Sequence, residues 1–335
     1  MNNFYKLLFF ISLTFGIFLT ISSYSWFSIW MGLEINLLSI LPLMTNSNNI
    51  YPSEAALKYF ISQVIASIFL LFSLILILKM YELMVFKMNF YLEIMFNSAI
   101  LTKMGAAPFH FWFPEVAEGL NWSINLILFI MQKIAPMIIL MYFNNSFFYL
   151  SIIIILSSMI SGLMGLNQSS LRKILAYSSI NHLAWMISGL MYKNLLWLTY
   201  FIIYSIMTFS IIMIFKKLNI YMTKQLYNIC EMNKTLMILI IFIFLSLGGI
   251  PPFLGFLPKW FIIMNLINNN QYIMSFLLII FTLITFSFYL RLILIPMIYS
   301  KTEPKFLKLF SFQMIYMLKI ISILILPLGL LIFLN

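Results

Sequence analysis

The feature that most constrains this chain is a succession of apolar runs, each near the length of a bilayer-spanning helix and nearly empty of charge. A spanning helix needs about 20 apolar residues. By that measure the sequence predicts eleven spans, at about 4–23, 26–44, 57–79, 90–113, 122–142, 147–165, 172–190, 195–215, 235–258, 273–296 and 315–334. Runs such as 68–78 and 237–247 lack the alternation of apolar and polar residues that a membrane β-strand requires. Only 8% of the residues are charged, where a soluble domain carries about 25%. The expected fold class is therefore an all-α polytopic membrane protein, with 1–335 forming a single transmembrane domain.

Two of the predicted spans are interrupted. The first contains Lys103-Met-Gly-Ala-Ala-Pro-Phe-His-Phe-Trp112, the second Leu247-Gly-Gly-Ile-Pro-Pro-Phe-Leu-Gly-Phe-Leu-Pro-Lys259. Gly105, Pro108, Phe109, Pro114 and Glu115 align with Gly249, Pro252, Phe253, Pro258 and Lys259 at a constant offset of 144. Proline removes a helix hydrogen bond and clashes with the carbonyl four residues earlier. Gly105 and Pro108 are accordingly expected to break the first helix, the proline clashing at Met104, and Gly249, Pro251 and Pro252 the second. Broken helices at matching places in two halves point to a transport pathway at an inverted-repeat interface.

The net charge of +11 comes from lysines scattered through short loops, so it does not indicate nucleic acid. Alternating the loops puts Arg172, Lys173, Lys216, Lys217, Lys224, Lys234, Lys301, Lys305 and Lys308 on the side of the N-terminus. Lys79, Lys87 and Lys193 fall on the other side. That bias predicts an N-terminus on the side of synthesis. Cys230 stands alone, which excludes an intrachain disulfide. Two histidines, with no CxxC, GxGxxG or P-loop, offer no metal, nucleotide, haem or iron–sulfur site. The sequence has no aspartate and three valines but much Ile, Phe, Asn, Lys, Tyr and Met, a bias expected of a small A+T-rich organelle genome. The methionines and aromatics read as lipid-facing filler.

Four ionisable residues lie at membrane depth or at a helix break: Glu34, Lys103, Lys133 and Lys259. Each costs about 2.5–3.5 kcal/mol at a helix centre, on the order of 10 kcal/mol together. They read either as a proton relay or as structural ion pairs and snorkelling side chains, the latter most of all for Lys259. A pair about 4 Å apart at an effective dielectric of 20 is worth roughly 4 kcal/mol. Moving one charge against 100 mV takes about 2.3 kcal/mol, so the magnitudes suit proton translocation. Tyr177, Ser178, Ser179, Asn181, His182 and Trp185 form a second polar set on one span. Ser178 and His182, four apart, share a face and read as interhelical hydrogen bonders or a secondary relay. His110 in the first break reads as a loop stabiliser or a gate, and Glu115 and Glu118 as a solvated turn.

Together with Trp30-Met-Gly-Leu-Glu-Ile-Asn36, Gln132-Lys-Ile-Ala-Pro136 and Leu171-Arg-Lys-Ile-Leu-Ala-Tyr-Ser-Ser-Ile-Asn-His182, the two broken stretches resemble the chain 2 family of mitochondrial NADH–ubiquinone oxidoreductase. Its members are antiporter-like membrane-arm subunits of respiratory complex I. The resemblance implies two inverted five-helix repeats, about 4–142 and 147–296, each with one interrupted helix, plus a C-terminal helix at about 315–334. It implies that Glu34 pairs with Lys103, that Lys133 bridges two half-channels, and that Lys259 is the terminal lysine of the second repeat. It further implies a chain that binds no cofactor or metal and is not catalytic alone. NADH, flavin, iron–sulfur clusters and ubiquinone would be handled by other subunits of the complex. Its surroundings would be the other membrane-arm and accessory subunits and the lipid of the mitochondrial inner membrane, with the N-terminus in the matrix and the C-terminus in the intermembrane space. Ala184 departs from the family's frequent glycine. A stand-alone secondary antiporter and a purely structural scaffold are the alternative readings.

Overall fold

A computed structural model of the chain describes residues 2–45, 49–82, 90–143, 146–232 and 234–299. These residues form thirteen α-helices and, among them, no strand beyond an isolated bridge between Ser170 and Met222. A bilayer offers no water to unpaired peptide groups, so helices that satisfy their own backbone are the expected solution. The chain divides into two compact units, Met1–Ile153 and Ile154–Asn335.

The first unit contains α1 (Asn2–Ser22), α2 (Trp26–Met44), α3 (Ile50–Glu82), α4 (Phe90–Met104), α5 (Trp112–Gly119), α6 (Trp122–Tyr142) and the start of α7 (Phe147–Gly165). Helices α1 and α2 pack through small residues, because hydrocarbon gives no hydrophobic drive between them and close backbone approach is what holds them. A Cβ on Gly32 would lie 2.6 Å from Thr20 Cγ2 and 3.0 Å from the Gly16 carbonyl. The second unit holds α8 (Leu171–Leu190), α9 (Asn194–Leu218), α10 (Thr223–Met232), α11 (Lys234–Gly248), α12 (Phe256–Asn268) and α13 (Tyr272–Tyr299). Helix α8 is buried nearly all round, in contact with α9, α12 and α13.

Seven described helices, α1, α2, α3, α6, α7, α9 and α13, are long and apolar enough to cross a membrane. Helix α8 has the length, but its serines, Asn181, His182, Arg172 and Lys173 lower its hydropathy, which fits its burial among other helices. The expected span at 315–334 lies outside the described residues, as do Lys87, Lys301, Lys305 and Lys308. Helix α3 has 33 residues, about 50 Å at 1.5 Å per residue, well beyond the expected 57–79. The polar connection after α9 is not a loop throughout. It contains α10, which buries Leu226 and Cys230 and whose start is pinned by Leu171 N–H on the Tyr221 carbonyl and Thr223 N–H on the Ser169 carbonyl.

Both interrupted spans stop by one mechanism, at the glycine expected in each break rather than at its prolines. Helix α4 ends at Gly105, φ +74°, and α11 at Gly249, φ +76°. Ala106 N–H reaches the Leu101 carbonyl and Gly105 N–H the Thr102 carbonyl. Ile250 and Gly249 repeat this on Leu245 and Ser246. This paired pattern, with a left-handed residue, is the glycine C-cap. Pro108 lies three residues further on, so the expected clash at Met104 does not stop the helix. Prolines reappear as Pro114 and Pro258, each third in its helix, where a missing N–H costs no helix hydrogen bond. The second halves run further than expected, to Gly119 and Asn268, and Glu115 and Glu118 lie on helix α5 rather than in a turn.

Candidate functional site

In the first unit, Glu34 projects from α2, Lys103 from the last turn of α4 and Lys133 from α6. Lys103 Nζ lies 3.7 Å from Glu34 Oε1, with the lysine side chain 4% and the glutamate 21% exposed. At that length the pair is an ion contact rather than a hydrogen bond, and Glu34 Oε1 is buried with no hydrogen-bond partner among the described residues. Lys133 is 1% exposed, with Nζ 5.7 Å from the centroid of the Phe113 ring. Helix α6 runs on through Pro136.

Beside Lys103 lies a small polar cluster. The Tyr59 hydroxyl donates to Gln132 Oε1 at 3.2 Å, and Gln132 Nε2 donates to Asn36 Oδ1 at 2.9 Å. Gln63 Nε2 donates to the Lys103 carbonyl at 3.4 Å. These side chains, with Leu33, Leu37 and Pro136, line a cavity of about 10 Å³, roughly the room one water needs. Asn36 and Gln132 flank motif residues, so their region was visible in the sequence. Tyr59 and Gln63 carry no such signal, because the polar residues of α3 gather on no one face that would set these two apart. The acid Glu93, in the first turn of α4 and 9% exposed, also escaped the sequence reading. It lies where a negative charge favours the helix dipole.

Lys259 is 6% exposed and one turn into α12. It turns back to α11, where Nζ donates to the Gly248 carbonyl at 2.9 Å and lies 3.5 Å from that of Leu247. Snorkelling to the membrane surface, expected as one alternative, is thus not what this side chain does. The two breaks therefore treat their leftover carbonyls differently. At the first, an amide from α3 covers Lys103 O, while the ammonium faces Glu34. At the second, the ammonium itself covers the helix end, a favourable place for a cation. A Cβ on Gly249 would sit 2.8 Å from Lys259 Nζ, so the glycine also makes room for the charge.

Around α8, His182 Nδ1 and the Tyr200 hydroxyl lie 2.8 Å apart, and Asn181 Nδ2 donates to Thr285 Oγ1 at 3.2 Å. Ser178 and Ser179 donate to the Leu175 and Ala176 carbonyls of their own helix, each at 2.8 Å. Tyr200, Tyr204 and Tyr289 are all buried, as are Tyr59, Trp122 and Trp185, so the expectation of outward-facing aromatics holds for residues such as Phe15, Phe18 and Phe148 but not for these. His110 Nδ1 lies 3.2 Å from the Pro108 carbonyl, two residues back, a contact within its own loop. Arg291, within the thirteenth helix, was also missed. Its guanidinium donates to the Leu166 and Gln168 carbonyls at 2.5 and 3.1 Å, capping the end of α7. No group of three or more His, Cys, Asp or Glu suited to a metal occurs among the described residues.

The membrane-domain profile of NADH:quinone oxidoreductase and Mrp antiporter subunits matches residues 23–285. The chain belongs to this family. Curated relatives called NADH-ubiquinone oxidoreductase chain 2 include that of Anopheles gambiae, 50% identical over 286 residues, covering 85% of this chain and 84% of the relative. That of Locusta migratoria is 44% identical over 291 residues, covering 87% and 85%. Among solved structures, a chain of respiratory complex I from Thermus thermophilus superposes with a TM-score of 0.87 at 23% identity, over 98% of this chain and 78% of its own. A chain of the archaeal membrane-bound sulfane sulfur reductase does so with a TM-score of 0.82 at 18% identity, over 96% and 72%. These structural likenesses show that this family member has the antiporter-like fold.

Proposed function

We propose that this chain is a membrane subunit of a respiratory NADH–ubiquinone oxidoreductase and moves protons across the mitochondrial inner membrane through Glu34, Lys103, Lys133 and Lys259. It takes part in the oxidoreductase as one subunit and performs no redox chemistry itself. Its partners are the other membrane-arm and accessory subunits, and NADH, flavin, iron–sulfur clusters and ubiquinone belong to the rest of the complex. The N-terminus faces the matrix. The two units correspond to repeats at about 4–142 and 147–296, each with one glycine-capped break.

The observation that carries this reading is the buried contact between Lys103 and Glu34 at 3.7 Å, placed at a helix break and beside a polar cavity. At an effective dielectric near 20, opening or closing such a contact changes the work of holding a proton on the lysine by up to roughly 4 kcal/mol. Proton movement against 100 mV needs about 2.3 kcal/mol per charge. A conformational signal that separates the two groups would thus suffice to load or unload one proton. Buried polar and ionisable groups within a membrane are costly and mark such paths.

The test is a pair of variants, Lys133→Ala and Glu34→Ala, in the assembled oxidoreductase reconstituted into sealed vesicles. The complex is expected to assemble, with protons pumped per NADH reduced by at least two-fold. Full pumping by an intact variant complex would overturn the relay.

A further inference from the structure

The Glu34 carboxylate is only partly engaged by Lys103. Their contact is 3.7 Å long, and the same oxygen, Oε1, is buried without a hydrogen-bond partner among the described residues. Donors of the neighbouring polar cluster are committed elsewhere: the Tyr59 hydroxyl to Gln132, Gln132 Nε2 to Asn36, and Gln63 Nε2 to the Lys103 carbonyl. One turn back on α2, Trp30 has the complementary lack. Its indole N–H is buried and reaches no acceptor among the described residues, although a buried indole ordinarily finds one. The Phe27 ring packs 5.6 Å from the Trp30 ring and covers it on the far side from Glu34 along the helix. An unused buried acceptor and an unused buried donor therefore share one face of α2, at i and i+4 spacing. Long side chains in a helix lean back over the turn N-terminal to their own Cα, which for Glu34 is the turn carrying Trp30. Its flexible side chain can swing between that turn and Lys103 while the helix stays in place.

We propose that the indole N–H of Trp30 is the second partner of the Glu34 carboxylate, which it receives when the contact with Lys103 opens. This rests on the reading of Glu34 and Lys103 as a relay pair that opens and closes. The physical reason is the cost of the open state. A carboxylate that leaves Lys103 for no other partner is an uncompensated buried charge, and breaking a buried pair in that way is strongly unfavourable. Hydrogen bonds to an ionised acceptor are the stronger kind, so an indole N–H one turn away lowers that cost. The indole nitrogen donates and does not accept, so it holds the ionised carboxylate without taking up its proton. Trp30 is thus a positioning residue: it gives the acid two defined places and exchanges no proton itself.

Trp30→Phe keeps an aromatic ring against Phe27 and deletes the N–H. In the assembled complex in sealed vesicles it is expected to lower protons pumped per NADH oxidised by at least two-fold. Trp30→His, which restores a ring N–H, is expected to recover part of that loss. The contact itself is read from a structure of the Lys103→Met complex, in which Glu34 has lost its cation. There the carboxylate is expected within about 3.2 Å of the Trp30 indole nitrogen, a result that a packing role for the ring would not produce. Wild-type pumping by Trp30→Phe overturns the inference. So does a Lys103→Met structure in which the carboxylate points elsewhere, or failure of Trp30→Phe to assemble, since the indole would then serve packing. Should Lys103→Met not assemble, the pumping ratios of Trp30→Phe and Trp30→His decide alone. Glu34→Ala, measured alongside, separates the two ideas. If it pumps normally the relay itself fails; if it is impaired while Trp30→Phe pumps normally, only the role of Trp30 fails.

Discussion

Polar side chains in this protein are held by partners one by one, and single atoms decide what each can do. Gln132 shows it: its amide takes a hydrogen bond from Tyr59 and gives one to Asn36, and both partners are buried. Gln132→Leu would strand both in a site with almost no exposure. An orphaned buried polar group costs about 1–3 kcal/mol. The expected outcome is a loss of that order in thermal stability of the assembled complex, measured by thermal inactivation. Gln132→Glu, which keeps an acceptor for Tyr59, should lose less by the same measurement. Glu34, Lys103, Lys133 and Lys259 were legible because a charge inside an apolar run has no other simple explanation than pairing or function. Tyr59, Tyr200 and Tyr289 were not. With eighteen tyrosines in so aromatic a chain, sequence alone gives no sign of which hydroxyls turn inward.

At the scale of elements, the two broken helices share a stop and differ in how the freed carbonyls beside it are covered. Gly105 and Gly249 both need a left-handed backbone, which costs a residue with a side chain about 1–2 kcal/mol. Gly249 has the second duty of leaving space for the Lys259 ammonium, 2.8 Å from where a Cβ would be. Gly249→Ala should therefore lower the yield of assembled complex and its pumping together. Gly189→Ala, on helix α8, meets the flexible tip of Ile262 at 3.2 Å and Leu196 Cβ at an ordinary 3.5 Å, and should be close to neutral by the same assays. The position of the breaks was evident from the matching Gly and Pro residues. Both glycines were among the residues expected at the breaks; that the glycine rather than the proline ends each helix was not legible, because the φ of a glycine is set by the chain's path and leaves no mark in composition. The offset of 144 also aligns Glu115 with Lys259, and these do unlike work. Glu115 meets Lys58 on an exposed surface at 2.5 Å, while Lys259 is buried against a helix end.

For the molecule as a whole, sidedness comes from the loops. Helix α9 runs from Asn194 to Leu218 and is long and apolar enough to cross once. Lys193 and Lys217, at its two ends, should then lie on opposite faces of the membrane. Introducing cysteine at each in turn, with Cys230 buried and so slow to react, gives a direct measurement. A membrane-impermeant thiol reagent should label the Lys217→Cys complex from the matrix face and the Lys193→Cys complex from the opposite face. Labelling of both from one face would rule out the crossing.

Hydropathy by itself determined that the chain is a helical membrane protein with two interrupted helices and a handful of costly buried charges, because insertion energy is additive along a segment and needs no knowledge of neighbours. Tertiary structure alone decided that Lys259 turns back on its own broken helix, that Gln132 links Tyr59 to Asn36, and that Tyr200 meets His182 of α8. Those outcomes depend on which residues distant in sequence arrive within about 3–4 Å of one another, and helix packing, rather than the local pattern, sets that distance.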